Sequence, residues 1–133
     1  MSEDAHTPLH EYIALNETYY RIYERYKPDL EMVAKIRAAR PTAHTFVASR
    51  YACPDCARNV PRMARLAEHL EGWTWEVVDS DENAGRCAEL GIVRVPTFVV
   101  FDEQGRELGR IIENPISGSL AADLLWIVGG GER

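Results

Sequence analysis

The chain has 133 residues, 46% of them hydrophobic and 27% charged, with a formal net charge of −6 and three cysteines. That length suits one domain whose core needs no covalent staple, and the acidic balance excludes general nucleic-acid binding, which requires a basic footprint. The longest apolar stretch, Val95 to Phe101, is far too short to cross a bilayer, and the cysteines are too few and oddly numbered for a secreted disulfide scaffold.

Residues 1–9 read as disordered, and Met1 to His10 lacks both the basic start and the apolar segment of a signal peptide. A cytoplasmic protein is therefore expected, and in a reducing compartment a close cysteine pair points to redox or metal chemistry. From His10 to Tyr26, apolar residues Tyr12, Leu15, Tyr19, Ile22, Tyr23 and Tyr26 fall at three- and four-residue steps, which predicts one helix. Its tyrosine stripe is either a face packed on the domain or a dimer contact, and the expected state is a monomer or weak homodimer. Lys27-Pro28 breaks this helix. Pro28 then suits the first turn of a second one, with Leu30, Val33 and Ile36 on one face, ending before Pro41. A first strand over about 44–49 delivers the chain to Cys53-Pro54-Asp55-Cys56.

Cys53 opens the next predicted helix. There its sulfur faces unpaired backbone N–H groups and the positive end of the macrodipole, which favours the attacking thiolate. Cys56 lies one turn further along the same face, within reach for a disulfide. The helix carries Cys56, Val60, Met63, Ala67 and Leu70 inward, with arginines and glutamates outward. Pro61 kinks it and Gly72 ends it. A strand from Trp73 to Val78 follows, with Trp73 and Trp75 read as packing in opposite or staggered environments. Asp79-Ser80-Asp81 then caps a short helix that runs through Leu90 and is closed by Gly91. Within that helix Cys87 reads as a buried apolar thiol. The next strand is Val95 to Phe101, turning at Asp102-Glu103-Gln104-Gly105 into a partner over Arg106 to Glu113. A last helix, about Ser117 to Val128, packs Leu120, Leu124 and Ile127, with Trp126 against the sheet, and Gly129-Gly130-Gly131 frays.

The pattern predicts an α/β fold: a central mixed four-stranded sheet flanked by helices, its first two strands parallel and its last two an antiparallel edge hairpin. Residues 1–43 form an N-terminal helical extension packed on a domain over 44–133.

Element order and motifs together resemble the thioredoxin family over about 44–128. Cys53-x-x-Cys56 is followed five residues later by Pro61, at the place of that family's helix-kink proline. Gly91-Ile92-Val93-Arg94-Val95-Pro96-Thr97-Phe98-Val99-Val100-Phe101 is similar to the family strand whose cis proline faces the cysteines. The resemblance implies a thioredoxin fold and thiol–disulfide oxidoreductase activity, with disulfide-containing proteins as substrates and an upstream thiol reductase as partner. It also implies that Arg94, Val95, Pro96 and Thr97 line the substrate site. The chain departs from the family at Ala52, where a tryptophan is usual, and at Val47, where a buried aspartate is usual. Residues 1–43 have no counterpart in a typical thioredoxin. Glu107 to Pro115 is similar to a branch of small thioredoxin-like proteins with a Cys-x-Asp-Cys centre.

Cys53 is thus the expected nucleophile and Cys56 the resolving thiol, while Pro54 stiffens the loop and removes one N–H donor. Asp55 has three readings. It disfavours the Cys53 thiolate and lowers the reduction potential, it caps or faces solvent, or it accepts the Cys56 proton in place of the missing buried aspartate. Arg94 offsets Asp55, grips an acidic substrate, or is a solvated surface residue.

A glutaredoxin-like reductase of glutathione mixed disulfides is an alternative, because Cys-Pro-x-Cys is common in that related family. Only Ser117-Gly118-Ser119 and Asp123 stand near its usual glycine-rich binding turn. A non-enzymatic interaction or redox-sensing module is another. No cofactor is expected, and no metal site, because one Cys-x-x-Cys supplies two of the four ligands of structural zinc. His6 and His10 read as solvated, and His44 and His69 lack the partners of a hydrolase triad.

Overall fold

The Thr7 hydroxyl accepts from the Leu9 backbone N–H at 3.1 Å and starts helix α1 (Pro8–Ala14). The structure, a computed structural model, describes residues 7–129. Residues 7–9 are therefore ordered, against expectation, while residues 1–6, His6 and the tail over 130–133 lie outside the described residues. The single helix expected from His10 to Tyr26 is two. Leu15 ends α1 with its side chain exposed, and Asn16 caps α2 (Glu17–Arg25) by accepting from Tyr19 N–H at 3.2 Å. The break lets Leu9 and Ile13 of α1 and Tyr19 and Tyr23 of α2 enter one core.

Asp29 caps α3 (Leu30–Ala39), so Pro28 sits before the cap rather than in the first turn. Val33 and Ile36 are buried, but Leu30 at the first position is exposed. Strand β1 (Ala43–Ser49) then enters the sheet and α4 (Pro54–Ala67) leaves the cysteine loop. Pro61 is inside α4 and Gly91 adopts φ 68° after α5 (Ala84–Glu89), both as expected. The short helix α5 is preceded by Asn83, because the Asp79 carboxylate instead closes a turn onto the Asp81 and Glu82 N–H groups. Gly72 does not terminate α4, which ends five residues earlier. A Cβ on Gly72 would lie 2.1 Å from the Pro41 carbonyl oxygen, so only glycine fits that crossing.

Strands β2 (Trp73–Asp79), β3 (Thr97–Phe101) and β4 (Glu107–Ile112) complete a four-stranded sheet in the order β2-β1-β3-β4. β1 pairs parallel with β2, and the other two pairings are antiparallel. β3 begins two residues later than expected, after a cis Val95–Pro96 peptide. Trp73 and Trp75 share one face, as residues two apart on a strand must, and their rings stack at 5.9 Å.

Alternation along β1 divides the core. Val47 joins the main cluster, where α1 and α2 pack on α4, and α3 on α6 (Leu120–Gly129), whereas Phe46 and Ala48 face Cys87, Ile92 and Val99 beneath α5. Leu120, Leu124 and Ile127 are buried as expected, and Trp126 is about one-third exposed.

A buried polar cluster fastens the N-terminal helices to α4. Thr7 N–H donates to His10 Nδ1 at 3.0 Å, leaving Nε2–H to donate to Glu68 at 3.1 Å. Tyr23 donates to the same carboxylate, and Arg65 reaches it at 3.3 Å while lying over the Tyr23 ring. Both expectations for this cluster are corrected: His10 is buried rather than solvated, and Glu68 faces inward rather than to solvent. The opposing charge of Arg65 and two further donors make that burial tolerable.

Candidate active site

Strand β1 ends at Ser49, and the loop 50–52 turns the chain so that Cys53 becomes the N-cap residue of α4. Pro54 follows at the first helical position, where its missing N–H costs nothing. The Cys53 side chain makes no capping bond within the helix; its thiol donates instead to the Val95 carbonyl at 3.5 Å. Cys53 is half-buried, whereas Cys56 is fully buried behind it with its sulfur facing that of Cys53. The two cysteines and the cis Val95–Pro96 peptide are thus brought together as the sequence predicted.

Burial pushes the Cys56 thiol above its ordinary value, and the neighbouring Cys53 sulfur adds to the shift. Two groups oppose it: the Arg50 N–H, 3.4 Å from the sulfur, and the Ser49 hydroxyl. Ser49 is itself fully buried and lies 2.9 Å from the Tyr12 hydroxyl. Tyr12 stacks on Tyr51 with centroids 4.2 Å apart, and Tyr19 meets both rings edge-on. The Tyr19 hydroxyl donates to the Arg50 and Tyr51 carbonyls at 2.9 and 3.0 Å. The loop that carries the Arg50 donor is therefore held from α2.

Asp55 pairs with Arg58 at 2.7 Å. Arg94 pairs with Glu113 at 3.3 Å and is largely exposed. Thr97 is buried, its hydroxyl donating to the Arg94 carbonyl at 2.7 Å and bracing the loop before β3. The Pro96 carbonyl accepts from Glu113 N–H at 2.7 Å, tying that loop to the end of β4. Buried Asn59 of α4 completes the tie, donating to the Glu113 carbonyl at 2.8 Å and to Asn114 at 2.9 Å. A cleft lined by Arg50, Asp81, Cys87, Val93, Arg94 and Val95 includes the residue whose carbonyl accepts from the Cys53 thiol, though not Cys53 itself.

Sequence reasoning missed Ser49, Tyr12, Tyr19, Tyr51 and Asn59. Period-two alternation places Ser49 on the face of Val47, and the tyrosine stripe was visible; that the two meet depends on how α1 docks. Asp123 is not open to a ligand on its two carboxylate oxygens, which accept from the Ile116 and Ser117 N–H groups at 2.9 and 2.7 Å. Among the described residues no cluster of three or more His, Cys, Asp or Glu is arranged to hold a metal ion, and no helix is long and apolar enough to cross a membrane.

Three solved structures share this architecture at low identity. A Pseudomonas aeruginosa protein of unknown function matches with a TM-score of 0.72 at 17% identity, over 85% of this chain and 82% of its own. Oxidised mitochondrial thioredoxin 3 from Saccharomyces cerevisiae matches with a TM-score of 0.54 at 19% identity, over 77% and 89%. Oxidised thioredoxin O2 from Arabidopsis thaliana matches with a TM-score of 0.53 at 20% identity, over 81% and 92%. A sequence model of the family described as thioredoxin matches residues 3–122, taking in the N-terminal helices as well as the cysteine pair. The fold is a thioredoxin fold, and the chain belongs to the thioredoxin family.

Proposed function

We propose that this protein reduces protein disulfides by thiol–disulfide exchange at Cys53 and Cys56. The observation that carries the reading is the unequal exposure of two facing sulfurs. Cys53 stands half-open at a helix N-terminus, and Cys56 is sealed behind it. The Cys53 thiolate attacks one sulfur of the substrate disulfide, forming a mixed disulfide and releasing the first substrate thiolate. Cys56 then attacks the Cys53 sulfur, the bond to substrate breaks, and the second substrate thiolate leaves and is protonated. Two electrons pass to the substrate, and an upstream thiol reductase restores the dithiol.

The cleft that includes Val95, the partner of the Cys53 thiol, takes the chain that flanks the substrate disulfide. Val95 offers backbone edge there, buried Pro96 and Thr97 support it from behind with Thr97 holding the Arg94 carbonyl, and Arg94 at the rim favours an acidic flank. The enclosed carboxylate of Asp123 speaks against glutathione as the main substrate. The test is reduction of insulin disulfides by the reduced protein: turnover in the wild type and none in Cys53→Ser is expected. Normal turnover in that variant would remove Cys53 from the mechanism.

A further inference from the structure

The family's buried carboxylate is absent here, since Val47 occupies its place, and Asp55 is engaged with Arg58. The resolving sulfur is nevertheless enclosed in polar company. Arg50 N–H points at it from 3.4 Å, and the neighbouring buried Ser49 hydroxyl favours its charged form. Ser49 has no exposure to water, so its hydroxyl must find partners inside the protein, and the second one is Tyr12 at 2.9 Å. A hydroxyl both donates and accepts. With Tyr12 donating to Ser49, the Ser49 proton is directed at the Cys56 sulfur, and each bond polarises the next.

We infer that Ser49, backed by Tyr12 from the N-terminal helix, forms with the Arg50 N–H a donor pocket that stabilises the Cys56 thiolate during resolution. This rests on the disulfide-exchange reading above. The family's buried acid receives a proton, whereas these groups hold the negative sulfur by hydrogen bonds. The step balances simply. Cys56 loses its proton to solvent, its sulfur bonds to that of Cys53, the Cys53–substrate bond breaks, and the departing substrate sulfur takes the electron pair and then a proton from solvent. In the inferred pocket Ser49 acts on the reacting sulfur directly, and Tyr12 acts through Ser49 as a positioning residue.

The N-terminal helices thereby become part of the redox centre. α1 supplies Tyr12, and Tyr19 of α2 holds the carbonyls of Arg50 and Tyr51. The other ionisable groups acting on this cluster are Cys53 on α4, Tyr51 in the loop and Asp79 on β2. Tyr12 and Tyr19 are raised in pKa mainly by burial, so both remain protonated donors while Cys56 ionises.

The test is the titration midpoint of Cys56 in the reduced full-length protein, read from its Cβ chemical shift by NMR. Ser49→Ala should raise the midpoint by about one unit, the worth of one hydrogen bond to a charged group. Tyr12→Phe, which keeps the stacked ring, should raise it by about half as much and serves alone if Ser49→Ala does not fold. An unchanged midpoint in folded Tyr12→Phe would overturn the pocket. The readout needs no turnover. Raised midpoints without insulin reduction would sink the reductase reading alone, and insulin reduction with unmoved midpoints would sink the pocket alone.

Discussion

Asp55, one of the two residues between the cysteines, gives its carboxylate to Arg58 at 2.7 Å, one turn along the same helix. A carboxylate near Cys53 disfavours the thiolate and so lowers the reduction potential, but a guanidinium in contact with it cancels most of that field. Asp55→Asn should therefore move the Cys53–Cys56 potential by less than about 30 mV, a tenfold change in equilibrium constant. Arg58→Ala should lower the potential, because Asp55 then faces the dithiol without its counter-ion. Equilibration against a glutathione series measures both. A large rise in Asp55→Asn would show that Asp55 controls the couple despite its partner.

Glu68 holds the two N-terminal helices to the domain by accepting from His10 and Tyr23 while Arg65 neutralises it. Glu68→Ala strands those buried donors. We predict a loss of about 3 kcal/mol in unfolding free energy, in the range for breaking a buried pair by removing one partner. Urea denaturation measures it. A loss below about 1 kcal/mol, the level of a surface pair, would show that the cluster does not anchor these helices.

Alkaline pH should destabilise the reduced protein more than the oxidised one. In the unfolded chain Cys56 ionises near its ordinary 9.0, while burial keeps it protonated in the fold. A raised folded value contributes stability that is whole below the unfolded value and is lost as pH rises toward the folded one, at up to about 1.4 kcal/mol per pH unit. Tyr12, Tyr19 and Tyr23, all raised above their ordinary 10.0 mainly by burial, add the same sign of loss at higher pH. The oxidised protein lacks the Cys56 contribution. Urea midpoints between about pH 8 and about pH 10 should therefore fall more steeply for the reduced form; parallel curves would contradict the account.

Particular residues show how far the sequence could be read. The cysteine spacing, Pro61 and the Val-Pro-Thr run located the site, because each has a local cause that neighbours cannot undo. Periodicity placed Val60, Met63, Leu70, Leu120 and Leu124 in the core for the same reason. It failed where a short polar residue competed for the backbone, as when Asn16 split the first helix. It failed again where a charge found partners far along the chain, as with Glu68 and His10, 58 residues apart. Ser49 carries no signal as a site residue until α1 brings Tyr12 against it. Gly72 reads in the sequence as a helix stop, whereas its structural reason, the Pro41 carbonyl, lies 31 positions away in the chain.

The division of labour proposed for the two sulfurs can be trapped directly. Cys56→Ser leaves half-exposed Cys53 in place and removes the thiol proposed to release it. Incubated with insulin, this variant should accumulate a mixed disulfide that mass spectrometry places on Cys53, and Cys53→Ser/Cys56→Ser should accumulate none. Absence of any adduct in Cys56→Ser, or an adduct on Cys87 instead, would contradict the claim that Cys53 attacks and Cys56 resolves.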